Sequence, residues 1–76
     1  MSAEHLVRMA NDIADFFHSE PDHAAGVEGV LNHLRRFWDP RMRRKIVAHW
    51  REHGGEGLQA LAREAVEKLA ASEVAA

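Results

Sequence analysis

The 76 residues carry ten basic and twelve acidic side chains, six histidines and no cysteine, which suits one small domain and excludes disulfides, thiolate zinc sites and iron–sulfur ligation within the chain. Lack of cysteine fits a reducing compartment. Met1-Ser2-Ala3-Glu4-His5 has neither the basic n-region nor the apolar h-region of a signal peptide, and no uncharged apolar run approaches the ~20 residues of a membrane span, so a soluble chain is expected.

Along the chain, four helical segments read out and no strand signal. The first runs from a Ser2 cap to about His18, with Leu6, Met9, Ala10, Ile13, Phe16 and Phe17 on one stripe and Glu4, Arg8, Asp12 and Asp15 opposite. Ser19-Glu20-Pro21-Asp22 is the break. The second segment starts near Asp22 or His23 and reaches Phe37 or Trp38, with Val27, Val30, Leu31, Leu34, Phe37 and Trp38 as its stripe. Gly26 and Gly29 weaken it by up to about 1 kcal/mol each relative to alanine, and suit a close approach by a neighbouring backbone.

Phe37-Trp38-Asp39-Pro40-Arg41-Met42-Arg43 forms the joint to the third helix. Asp39 is placed to be an N-cap, and Pro40 at N1 loses no hydrogen bond because that N–H is unpaired anyway. A residue before proline avoids αR, so the helix must break at Asp39. Adjacent helical residues point about 100° apart, so Phe37 and Trp38 cannot share a direction. Phe37 is expected mostly in the core, with one of the two free to reach the surface. The third helix, from Pro40 to about His53, carries Met42, Ile46, His49, Trp50 and His53 on one side and Arg44, Val47 and Arg51 on another. Gly54-Gly55 ends it through αL geometry. Glu56-Gly57 leads into the fourth helix, with the stripe Leu58, Leu61, Ala62, Ala65, Val66 and Leu69. Glu64–Lys68 and Arg63–Glu67 are i,i+4 pairs on its wet side, and residues 72–76 are expected to fray. The fold class is all-α: a single domain over 1–76, a compact small bundle or orthogonal array of four amphipathic helices.

Charge is unevenly spread. Residues 35–51 hold Arg35, Arg36, Arg41, Arg43, Arg44, Lys45 and Arg51 against Asp39 alone, a net +6, and the remainder nets −8. Such a segment is either held by the domain's own acids or presented to an acidic partner. Aromatic and guanidinium side chains are also the usual interface anchors, so something is expected to dock at the joint.

Catalytic constellations are weak. His49-Trp50-Arg51-Glu52-His53 matches H-x-x-E-H, but a catalytic zinc site also requires a third ligand and a cleft, and the motif sits in the last turn of its helix. The histidines, His33 beside the joint included, read as surface or half-buried structural residues. The serines are at 2, 19 and 72, none in a nucleophile elbow, and no glycine-rich loop follows a strand. The competing class is a small basic-helix nucleic-acid-binding or regulatory domain, since a tight turn followed by a basic helix loosely resembles a helix-turn-helix. Against it, the third helix lacks Asn, Gln, Ser and Thr for base edges and the rest of the chain is acidic, so neither nucleic acid nor membrane is expected as a partner.

Three stretches together resemble one family. They are Met9-Ala10-Asn11-Asp12-Ile13-Ala14-Asp15-Phe16-Phe17, then His33-Leu34-Arg35-Arg36-Phe37-Trp38-Asp39-Pro40-Arg41-Met42-Arg43, and Gly54-Gly55-Glu56-Gly57-Leu58 followed by Leu61, Ala65 and Leu69. The chain is similar, over nearly its whole length, to the delta subunit of bacterial NAD-dependent, molybdenum-containing formate dehydrogenase. Asp12 departs from the uncharged Gln expected there, on the solvated side. The resemblance implies a cytoplasmic accessory subunit, not an enzyme by itself, of a complex that oxidises formate and reduces NAD⁺. It also implies that molybdenum cofactor, iron–sulfur clusters, FMN and NAD reside in other subunits, with none in this chain. The implied partner is the large catalytic subunit; assembly, cofactor loading and stability are the open roles, and the isolated chain has room to self-associate. Phe37, Trp38, Asp39, Pro40, Arg41, Met42, Arg43 and Arg44 are the candidate partner-binding residues.

Overall fold

Ser2, Asp22 and Asp39 each stop one stretch of chain and start a helix. Each has extended backbone and a side-chain oxygen that accepts from an orphan N–H of the first turn: His5 N to Ser2 Oγ at 3.1 Å, Ala24 N to Asp22 Oδ1 at 3.1 Å, Met42 N to Asp39 Oδ1 at 3.0 Å. The helices that follow are α1 (Ala3–Phe17), α2 (His23–Phe37) and α3 (Pro40–His53), and α4 (Ala60–Val74) completes the chain. The computed structural model describes residues 2–74. Ser72 is helical, with its hydroxyl donating to Leu69 O at 2.8 Å, while Ala75 and Ala76, where fraying was also expected, lie outside the described residues.

α3 ends at Gly54 in the left-handed region (φ 66°), and Gly55 and Gly57 follow with φ 74° and 91°. This three-glycine turn swings the chain back over α1. Leu58 is buried ahead of α4 instead of inside it, so the fourth helix begins later than its apolar stripe suggests. No Ser, Thr, Asp or Asn stands at that helix start. Asn11 of α1 supplies the polar contact instead: its Oδ1 accepts from Gln59 N and its Nδ2 donates to Gly57 O, both at 2.9 Å. Gln59 Nε2 returns to Asp15 Oδ1 at 2.8 Å. Two residues on one face of α1 therefore fix where α4 begins.

The core lies between α2 and α4, the most extensively packed pair, with α1 and α3 closing it from the sides. Leu6, Val30, Leu34, Ile46, Val66 and Leu69 are its largest inaccessible side chains, and among the described residues no polar or charged side chain is buried. The radius of gyration, 11.1 Å, is that of a compact chain of this length. α2 and α3 barely pack on each other; both are held by α1 and α4. The glycines of α2 work by close approach. Gly26 lies under the Phe17 carbonyl and Leu61, and a Cβ on Gly29 would stand 2.5 Å from the Phe17 ring. Across the α2–α4 seam, Glu64 meets His23 and Lys68 meets Glu28 at 3.9 Å. Glu64 and Lys68, expected to pair along α4, thus reach across to α2, and Arg63, expected to pair with Glu67, donates to Leu58 O at 3.0 Å.

Two substitutions test this frame. Asp39→Ala should lower stability by about 1 kcal/mol, a fall in the thermal midpoint of roughly 4–8 °C for a domain this small. Asn11→Ala leaves Gln59 N and Gly57 O without their partner and should cost about 1–3 kcal/mol in urea denaturation. An unchanged midpoint for either would show that the cap or the Asn11 bridge contributes nothing.

Candidate functional site

The joint between α2 and α3 buries one aromatic and expels the other. Trp38 is 4% exposed and belongs to the core, whereas Phe37 is 68% exposed. This reverses the expectation of a core Phe37. The reason is the divergence of adjacent residues: α2 presents Leu31 and Leu34 inward, and Trp38, next on that side, continues the same stripe. Phe37 is left to the solvent side. Phe16 is corrected in the same way. Placed on the inner stripe of α1 by spacing, it is 76% exposed, and its neighbour Phe17 turns inward over Gly29.

The two expelled rings belong to one surface. Phe16 stands edge-on to Phe17 with ring centroids 5.0 Å apart. Ile13, Phe16, Phe17, Asp12 and His33 line a groove of about 440 Å³ between α1 and α2. His33 stacks obliquely on Phe37 at 4.7 Å, and the Arg36 guanidinium lies 5.8 Å from the Phe37 ring centre. Phe16 and Phe37 are the exposed large hydrophobic residues among those described; Phe16 lines this groove and Phe37 touches its lining residue His33. Exposed apolar side chains gathered in one place mark interaction sites more often than scattered ones do.

Around the joint, the eight candidate residues separate into different tasks. Asp39 caps α3 and Pro40 opens it. Met42 packs half-buried against the core. Arg43 folds back, half-buried, and donates to the carbonyls of Trp38 and of Arg35, the latter at 3.3 Å. It thereby satisfies acceptors at the C-terminus of α2, where a cation is also favoured by the helix dipole. Phe37, Arg41 and Arg44 remain outward. Elsewhere in the basic segment Arg51 donates to Ala70 O at 3.2 Å, while Arg35, Arg36 and Lys45 are exposed. The ion pairs seen among the described residues lie between α2 and α4 and engage none of Arg36, Arg41 and Arg44. The positive segment thus keeps Arg36, Arg41 and Arg44 outward, together with Arg35 and Lys45.

His49 and His53 sit with rings 5.5 Å apart, but His49 Nε2 is bonded to Glu56 O at 2.8 Å. Among the described residues no group of three or more His, Asp or Glu is arranged to hold a metal ion, and none of the helices there is long and apolar enough to cross a membrane. Sequence reasoning missed Phe16 as a surface feature. The signal lay in the doublet Phe16-Phe17, which obeys the same divergence as Phe37-Trp38.

Compared with known proteins, residues 5–66 match the family model described as NADH-dependent formate dehydrogenase delta subunit FdsD. That span runs from the first turn of α1 through the joint and into the middle of α4. Searches of curated proteins and of solved structures return no match.

The two aromatics of the joint should differ sharply when removed. Trp38→Ala should cost about 3–5 kcal/mol, enough to unfold much of a domain this small. Phe37→Ala should change stability by no more than about 0.5 kcal/mol in the same denaturant titration.

Proposed function

We infer the role of this chain from its family: it belongs to FdsD, the delta subunit of NADH-dependent formate dehydrogenase. On this reading it is a non-catalytic accessory subunit that binds the large, molybdenum-containing catalytic subunit and supports assembly, cofactor loading or stability of a cytoplasmic bacterial complex. Redox chemistry is left to other subunits. This chain has no cysteine for an iron–sulfur cluster and no strand-to-helix glycine loop for a nucleotide phosphate.

The observation that carries the docking role is the outward positive face at the α2–α3 joint, unmatched by the ion pairs seen in the domain itself. Arginine forks onto carboxylates in a bidentate fashion, and partial desolvation beside an aromatic ring strengthens the contact beyond that of an open-surface pair. Phe37, Arg41 and Arg44 are the contact residues on this reading. Trp38, Asp39, Pro40, Met42 and Arg43 shape the joint from within. Nucleic acid suits this face less well. α3 turns arginine and lysine outward but has no Asn, Gln, Ser or Thr, and the other helices bring exposed Asp12, Asp15, Asp22 and Glu28.

Co-purification of the tagged chain from its host should bring down the large formate dehydrogenase subunit. Arg41→Ala with Arg44→Ala should keep helical content and thermal midpoint while weakening that capture about tenfold or more. Failure of the wild-type chain to capture the large subunit would refute the role. Wild-type capture by the folded double variant would move the contact away from the joint. With duplex DNA, only weak binding that is blind to sequence and falls steeply with salt is expected; tight binding to one defined duplex at physiological salt would reverse the ranking.

A further inference from the structure

The groove between α1 and α2 is separate from the residues that hold the joint together, yet it is continuous with the joint's outward face. Phe37 links them: His33 of the groove stacks on one part of its ring and Arg36 lies by another. Arg41 and Arg44 are exposed in the first turns of α3, four and seven residues along the chain from Phe37. One partner element can therefore cover both regions.

We propose that this groove seats a single amphipathic helix of the large catalytic subunit, whose apolar anchors enter between Phe16 and Phe37 and whose acidic residues meet Arg36 and the Arg41–Arg44 end. The proposal rests on the docking role inferred above and names the element that docks. Three observations carry it. The groove is apolar, floored by Ile13 and Phe17, and its volume of about 440 Å³ suits a few anchor side chains. Phe16 lines it and Phe37 stacks on its residue His33, both with most of their surface exposed, where soluble domains seldom gather phenylalanine. The charge is polar along the surface, with Asp12 in the groove and Arg36 beside Phe37. A helix with anchors at i, i+3 or i+4 and i+7 and acids toward one end fits this pattern.

A second copy of this chain fits less well. A two-fold contact sets the same surface against itself, so each copy would bring the outward arginines Arg36, Arg41 and Arg44 and, from the groove lining, the single acid Asp12 to meet them. An acidic element from another protein supplies what is missing. Here Gly29 also gains a function: because it leaves room for the Phe17 ring, the floor of the groove lies low enough to accept a side chain from outside.

The test uses the co-purified complex, with p-benzoylphenylalanine in place of Phe16 as a photoreactive probe. Irradiation should link position 16 to one segment of the large subunit, with apolar residues at helical spacing and acids toward one end. In parallel, Phe16→Ser with Phe37→Ser should keep helicity and thermal midpoint, since both side chains are mainly exposed, and lower capture of the large subunit about tenfold or more. This loss should persist at high salt, whereas the loss from Arg41→Ala with Arg44→Ala should be largest at low salt. Undiminished capture by the folded Phe16/Phe37 variant overturns the groove inference, and leaves the accessory role standing if the arginine variant still weakens capture. Cross-links scattered over several segments, or cross-links between two copies of this chain with concentration-dependent dimers in sedimentation, overturn it in favour of another occupant. Failure of the wild-type chain to capture the large subunit overturns the docking role, and with it this inference.

Discussion

Trp38 can be buried only if Phe37 is not. The two residues are adjacent at the end of a helix, and about 100° separates their side chains. Trp38 continues the buried stripe of Leu31 and Leu34, and its indole joins the core at the joint. Everything at this end of the molecule follows from that placement. Phe37 turns outward and takes His33 as its stacking neighbour. The backbone leaves the helix at Trp38 with ψ 137°, and Asp39 then caps α3. The carbonyl of Trp38, left over as the helix ends, is met by Arg43. A helix terminus pointed at a joint has acceptors to satisfy, and a guanidinium with five donors suits the task.

That division of labour bears on how the positive segment is read. Seven cations against one acid suggest a single electrostatic patch, but the chain uses them in two ways. Arg43 and Arg51 are bonded to backbone carbonyls at helix ends, where they brace the fold. Arg36, Arg41 and Arg44 lie outside, away from the ion pairs of the α2–α4 seam. Cations of the second kind retain their charge for an acidic partner, in keeping with a chain whose family is a subunit of a larger enzyme. Among the described residues the buried side chains are apolar, so the polar groups that could recognise a partner lie at the surface. The surface is where the chain's function is to be sought.

The number and type of helices, their starts at Ser2, Asp22 and Asp39, the αL stop at Gly54 and the core membership of Leu6, Val30, Leu34, Ile46 and Leu69 were legible in the sequence alone. These are local matters: a cap reaches two or three residues, and a 3.6-residue period records which face is dry. The family was legible too, because the joint and its flanking stretches stand in one order along the chain. Tertiary structure decided the rest. Periodicity places both members of Phe16-Phe17 and Phe37-Trp38 near an apolar stripe, but only packing chooses which ring goes in, and it chose Phe17 for the space over Gly29 and Trp38 for the core. The start of α4 was set by Asn11, a partner 48 residues from Gln59. Glu64 and Lys68 turned to α2 because a neighbouring helix offered His23 and Glu28. The aromatic groove exists only where α1 lies against α2. Sequence pattern carries information over a turn or two of chain, whereas these features depend on contacts that the chain makes only once it has folded.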